Sequence, residues 1–154
     1  MSRILVVANR TLGSSELLQS IQDRMSEGPC EFTLLVPAVP HARRESTMET
    51  LTRRITNMPV TDEARGADDA DYEHARGRVA FGIEQLQKLG ADVDGEVGDA
   101  NAFKAVEDAL SRGKYDEIIL STLPKRVGGW MSQDLPNKVR RKFRGPVTVV
   151  SVAR

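Results

Sequence analysis

From Gly98 to Val150 the chain sets out, in order, the closing half of a layered α/β domain. Gly98-Asp99 opens a stretch with Phe103, Val106, Ala109 and Leu110 at helical spacing, Asp99 serving as its cap and Gly113 as its end. The apolar run Ile118-Ile119-Leu120 follows, then a polar loop containing Gly128-Gly129, a basic helix from about Leu135 to Phe143, and Pro146-Val147-Thr148-Val149-Val150. Short, β-branched-rich runs bounded by polar residues suit strands buried on both faces of a parallel sheet. Parallel neighbours in turn require a crossover, usually a helix.

The first half carries the same alternation. Ile4-Leu5-Val6-Val7-Ala8 is a buried strand, Gly13-Ser14-Ser15 starts a helix, and Leu17, Leu18, Ile21 and Met25 form its apolar stripe up to Gly28-Pro29. Phe32–Val36 is the second strand, ended by Pro37 and Pro40. Ser46-Thr47-Met48-Glu49 fits a capping box, and Met48, Leu51, Ile55 and Met58 mark a short helix closed by Pro59. The acidic, Ala- and Gly-rich segment Asp62–Asp71 is expected to be mobile, either a lid or, by preference, a solvated connection. Tyr72, Ala75, Val79, Ile83 and Leu86 then trace a long helix closed by Gly90, and Ala91–Val97 is a polar-interrupted strand placed at a sheet edge. With Val147–Val152 as the last strand, the order predicts one domain over residues 1–154, with a variable insertion at about 41–71. The predicted fold is a doubly wound, five-stranded parallel sheet of order 3-2-1-4-5 with helices on both faces.

Composition excludes several function classes. Lys+Arg and Asp+Glu both number 22, so no global field draws nucleic acid or an anionic membrane. The basic run Lys138, Arg140, Arg141, Lys142 and Arg144 is read as complementing a helix C-terminus, since no interleaved aromatics accompany it. The apolar run after Arg3 is too short for a signal segment or a membrane span, and a soluble, cytoplasmic protein is expected. Cys30, the single cysteine, has no intramolecular partner and is read as a small apolar residue at a strand edge. His41 and His74 are read as surface residues; no catalytic motif and no metal-ligand spacing occurs, so a non-catalytic protein is expected.

In a doubly wound sheet the ligand crevice lies at the carboxyl ends of the strands where the order reverses, here between strands 1 and 4. The loops meeting there are Asn9-Arg10-Thr11-Leu12-Gly13 and Ser121-Thr122-Leu123-Pro124-Lys125, with Val36-Pro37-Ala38 as a neighbouring wall.

Over nearly its whole length the chain resembles the universal stress protein (UspA-like) family. The residues carrying the likeness are the strand Ile4–Ala8 ending at Asn9, where the family has an acid, the Gly98-Asp99 pair, Asp116 before the fourth strand, and the closing Pro146–Val150. ATP-binding members carry glycine, two residues, glycine, nine residues, then glycine with Ser or Thr after strand 4. Ser121 and Pro124 match the first two glycines, and the final pair falls around Gln133-Asp134-Leu135. Proline removes a backbone donor, and a carboxylate at a helix N-terminus repels a second anion. The resemblance therefore implies a divergent member without the usual ATP grip, and no cofactor is expected.

The alternative ligand is ATP or AMP. For it, Arg10, Lys125 and Arg126 supply cations, and Asn9 a neutral replacement for the acid; Val36, Ser121 and Thr122 complete the candidate crevice. Against this, the cations read by preference as a solvated loop, and Asn9 reads equally as a turn residue. Trp130, the lone tryptophan, is read as a loop anchor in preference to a stacking platform. The resemblance further implies a homodimer paired through Val147–Val152, whose apolar edge would otherwise stand exposed.

Overall fold

In the computed structural model, which describes residues 2–9, 11–38, 60–122 and 134–151 (the helix backbone alone over 60–71), the buried apolar runs pair as strands. The strands are β1 (Ser2–Val7), β2 (Cys30–Pro37), β3 (Asp92–Gly98), β4 (Glu117–Thr122) and β5 (Val147–Ser151). The helices are α1 (Ser15–Glu27), α2 (Val60–Lys88), α3 (Ala102–Arg112) and α4 (Leu135–Lys142). All ladders are parallel and the order is β3-β2-β1-β4-β5, as the sequence predicts.

Alternation along β1 builds two cores. Ile4, Val6 and Ala8 pack with Leu17 and Ile21 of α1 and Ala75, Val79 and Leu86 of α2. Leu5 and Val7 face the other side and pack with Ala105, Val106 and Ala109 of α3 and Leu135 and Val139 of α4. Helices therefore cover both faces, which is why the central strands are apolar throughout. Gly98 shows the closeness of this packing. A Cβ built there would lie 2.7 Å from the Ala105 Cβ and 2.9 Å from Leu35 Cδ1, so only glycine lets α3 descend onto the sheet.

Local chemistry fixes the helix starts. Ser14 caps α1, its hydroxyl accepting from the Leu17 N–H at 3.2 Å. The cap of α3 is Asn101, accepting from the Lys104 N–H, and not Asp99, which instead accepts from the Asn101 N–H at 2.9 Å. The largest departure is α2. Residues 62–71, expected to be mobile, lie within this 29-residue helix, which starts straight after Pro59 rather than at Tyr72. Asp62 and Glu63 fall in the first turn, where acids suit the positive end of a helix dipole, and alanine is the best helix former, so the composition read as a connection also favours a helix. The short helix expected over Met48–Met58 lies outside the described residues, as does Val152.

At the amino end of the sheet, Asp116 joins two strand starts. The Arg3 N–H donates to Asp116 Oδ2 at 2.8 Å, and the Asp116 N–H donates to the Arg3 carbonyl at 2.7 Å. Nearby, Arg24 of α1 makes a forked pair with Glu117 at 2.8–3.0 Å and also donates to Thr148 Oγ1 of β5 at 3.1 Å. The Thr148 hydroxyl in turn donates to Glu117 at 2.9 Å. Among the described residues no helix is long and apolar enough to cross a membrane, and no group of three or more His, Cys, Asp or Glu is placed to hold a metal.

Candidate functional site

At the carboxyl end of the sheet, β1 runs out at Ala8-Asn9 and β4 at Ser121-Thr122. The two ends meet as the topology requires. Thr11 Oγ1 lies 2.7 Å from Ser121 Oγ, and the Thr11 hydroxyl also reaches the Ser121 carbonyl at 3.3 Å. Thr11 is 4% exposed and Ser121 1%, so this hydroxyl pair is a satisfied polar contact sealed inside the switch point.

The sequence places Ser121 and Thr122 at the start of the loop; the structure places both inside β4. Ser121 pairs with Val150 and Thr122 with Ser151 in the β4–β5 ladder. Their side chains are buried, and the strand continues two residues beyond the apolar run Ile118–Leu120. Val36 is also buried, with 0% exposure, so it lies in the core and offers its backbone rather than its side chain to the carboxyl end.

Asn9 sits between the crevice and the β2 end. Its Nδ2 donates to the Pro37 carbonyl at 2.8 Å, and its own carbonyl accepts from Arg78 Nη1 of α2 at 3.1 Å. The local-satisfaction reading of Asn9 is therefore realised on its amide nitrogen, which ties β1 to β2. Among the described residues no bond reaches its Oδ1. Arg10, Pro124, Lys125, Arg126 and Trp130 lie outside the described residues.

Asp134 stands at the N-terminus of α4 in the left-handed conformation, φ 60° and ψ 32°. Such a backbone is free for glycine and costs most other residues about 1–2 kcal/mol. Its carboxylate makes no cap bond. It accepts instead from Asn137 Nδ2 at 2.8 Å and lies 3.7 Å from Arg141 Nη2. A negative charge thus stands over the positive end of α4, half exposed, at the place where an anion would dock.

Sequence reasoning missed a cleft on the other side of the β1–α1 loop. It has a volume of about 340 Å³ and lies between that loop and α2, lined by Asn9, Leu12, Gly13, His74, Arg78 and Phe81 among others. Phe81, 48% exposed, was the available signal: a large apolar side chain off the stripe Ala75, Val79, Leu86. Cys30, at the start of β2, has its thiol pushed up by burial, with the nearby charges of Glu117 and Glu27 adding to the effect. That keeps it in the unreactive protonated form.

No family model and no curated protein sequence matches the chain. Solved structures do. A universal stress protein from Archaeoglobus fulgidus superposes with a TM-score of 0.61 at 12% identity, covering 97% of this chain and 93% of that one. A universal stress protein in complex with cAMP superposes with a TM-score of 0.55 at 13% identity, covering 97% and 96%. At these identities the likeness establishes the fold. The chain has the α/β fold of universal stress proteins over nearly its full length.

Proposed function

We propose that this chain is a divergent universal-stress-protein domain, non-catalytic and cytoplasmic, acting in a stress-response or regulatory role without the usual grip on ATP. The observation that carries the proposal is the state of Ser121. The resemblance assigns it to the first glycine of the phosphate loop, where a bare backbone lets amides approach an anion. Here its backbone belongs to the β4–β5 ladder and its hydroxyl is bound to Thr11 inside the domain. The carboxylate of Asp134 at the start of α4 supports the same reading from the far end of the loop.

The sheet edges support a homodimer through β5. Edge β3 carries Asp92, Asp94 and Glu96, charges that discourage strand pairing, whereas β5 carries Val147, Val149 and Val150, only partly buried. Light scattering at micromolar concentration should give twice the 17.0 kDa chain mass. A monomer throughout would remove the dimer from the proposal.

A second reading, an adenine-nucleotide switch or weak ATPase using Asn9, Val36, Ser121, Thr122, Lys125 and Arg126, is favoured by one observation: Asn9 Oδ1 accepts nothing among the described residues and is suited to receive an amino group. That one fold relative is in complex with cAMP, a ligand with no triphosphate to grip, is compatible with it. Titration with ATP, ADP, AMP and cAMP, following Trp130 fluorescence and melting temperature, separates the two. A ligand at 100 times its Kd stabilises by about 2.7 kcal/mol, a shift of about 5–10 °C for a chain of this size. The proposal expects no such shift with ATP. A saturable one that vanishes in Lys125→Ala/Arg126→Ala would establish the switch.

A further inference from the structure

The outer face of α4 carries a charge that its surroundings do not balance. Lys138, Arg140, Arg141, Lys142 and Arg144 are all exposed, and Asp134 is the single acid between residues 134 and 151. The helix dipole accounts for cations in the last turn, but not for the lack of counter-charge. Arg141 stands 3.7 Å from Asp134, and Lys142 3.3 Å from Glu107 of α3. Among the described residues Arg140 reaches only the neutral Asn137 side chain, at 3.4 Å, and Lys138 and Arg144 make no ion pair. Lys138 also precedes Arg141 by three residues and Lys142 by four, spacings at which like charges weaken a helix.

The placement of α4 decides what this charge meets. Val139 and Phe143 pack with Val147 and Val149, so α4 covers one face of β5, the edge strand. Lys142 turns toward α3, where it finds Glu107. Arg140 is nearly opposite Lys142 round the helix and therefore lies on the flank away from α3, over the free edge of the sheet.

When an edge strand pairs with its own copy about a two-fold axis perpendicular to the sheet, each face of one copy continues into the same face of the other. Pairing through β5 thus sets the two α4 helices side by side, Arg140 flank to Arg140 flank, and like charge meets like by symmetry. The acids of α1 cannot offset this, since α1 packs on the opposite face of the sheet through Leu17 and Ile21.

We propose that, given the β5 dimer proposed above, the α4 cations oppose it and make assembly depend on ionic strength, dilute salt favouring the monomer and concentrated salt the dimer. An interface held by ion pairs behaves in the opposite sense, because salt then screens an attraction. Here the attraction is burial of Val147, Val149 and Val150, which is uncharged, and salt screens only the repulsion. The Debye length falls from about 30 Å at 0.01 M to about 3 Å at 1 M, so the paired helices feel each other in dilute salt and hardly at all in concentrated salt.

The test is sedimentation equilibrium of the full chain at neutral pH in about 20 mM and about 500 mM NaCl. The dimer Kd is expected to fall about tenfold between the two. Arg140→Gln/Arg144→Gln should tighten the dimer in dilute salt to near the wild-type value in concentrated salt, and should remove most of the salt dependence. Arg76→Gln/Lys88→Gln, which changes net charge equally but on exposed positions of α2, should leave the wild-type salt dependence in place. A dimer whose Kd is equal or higher in concentrated salt, or unchanged by Arg140→Gln/Arg144→Gln, would overturn the inference while leaving the β5 dimer standing. A monomer under every condition would remove the dimer and the inference together.

Discussion

Replacing Arg24 by methionine should cost this fold far more than the loss of an ordinary surface ion pair. Arg24 and Glu117 are 22% and 13% exposed at their side chains, and Thr148 completes a closed triangle with them. Exposed pairs contribute about 0–1 kcal/mol, whereas removing one partner of a buried pair costs about 3–5 kcal/mol. The exposures place this pair between those limits. Methionine keeps most of the apolar stem but leaves the Glu117 carboxylate with only the Thr148 hydroxyl, so a loss of about 2–3 kcal/mol is expected. For a chain of this size that lowers the melting temperature by about 4–12 °C. The guanidinium pKa is raised, chiefly by its hydrogen bond to Glu117, against the opposing effect of burial, so arginine remains charged at any working pH. The assay is urea unfolding at neutral pH of wild type, Arg24→Met, Glu117→Leu and the double variant. If stranded charge is the cause, the double variant should recover to within about 1 kcal/mol of wild type. A single variant within 0.5 kcal/mol of wild type on the same assay, roughly its resolution, would refute the reasoning, as would a double variant as unstable as the sum of the singles.

The switch point offers a similar cycle. Thr11→Val leaves the buried Ser121 hydroxyl without its partner and should cost about 1–3 kcal/mol, while Thr11→Val/Ser121→Ala should regain most of it in thermal melts. Gly98→Ala drives a methyl into Ala105 and Leu35, both 0% exposed, and should cost about 1–3 kcal/mol by urea unfolding; stability equal to wild type would show that α3 can shift. Asp134→Gly relieves the left-handed backbone and gives up only exposed side-chain contacts, so a gain of up to about 1 kcal/mol is expected in the same assay. Because the Cys30 pKa is raised in the fold, the folded chain holds its thiol proton more tightly than the unfolded one. The resulting stability is complete below the unfolded thiol pKa and lost as pH rises through the folded value, and Cys30→Ala should flatten that alkaline decline in melting temperature. A thiol reagent at pH 8 should correspondingly react more slowly with the folded chain than with the urea-unfolded one.

The strands and their order were legible in the sequence because apolar runs in a parallel sheet are continuous, and the winding rules leave few topologies. Where the reading failed, a local signal had two meanings. Acids and alanines over residues 62–71 describe a solvated connection and equally the first turns of a helix. At about 1.5 Å per residue α2 is about 43 Å long, against about 26 Å for an eight-residue strand. A helix of that length outruns the strand it packs on, and Tyr72, included in the stripe by spacing, is 49% exposed. Asp99 and Asn101 are both good caps two positions apart, and the choice rests on where the chain leaves β3. The end of β4 was misplaced because Ser and Thr read as loop residues. Their hydroxyls are buried here only because Thr11 and other partners meet them, a long-range fact invisible in the local pattern.

Fold and ligand chemistry separate cleanly in this chain. The sheet order alone brings the β1 and β4 ends together, so any sequence adopting this winding has a crevice at Thr11 and Ser121, whatever its side chains do there. Gripping a phosphate asks for something more, namely unpaired amides at the crevice and a helix N-terminus left open. At Ser121 the ladder and the hydroxyl pair occupy the first of these. At Asp134 the backbone takes the conformation that glycine adopts without strain, while the side chain sets a carboxylate over the helix end. The path of the chain and the charge on it thus argue in opposite directions. On the reading proposed above the charge decides for an anion, since the left-handed turn only brings the backbone near whereas the carboxylate repels what arrives.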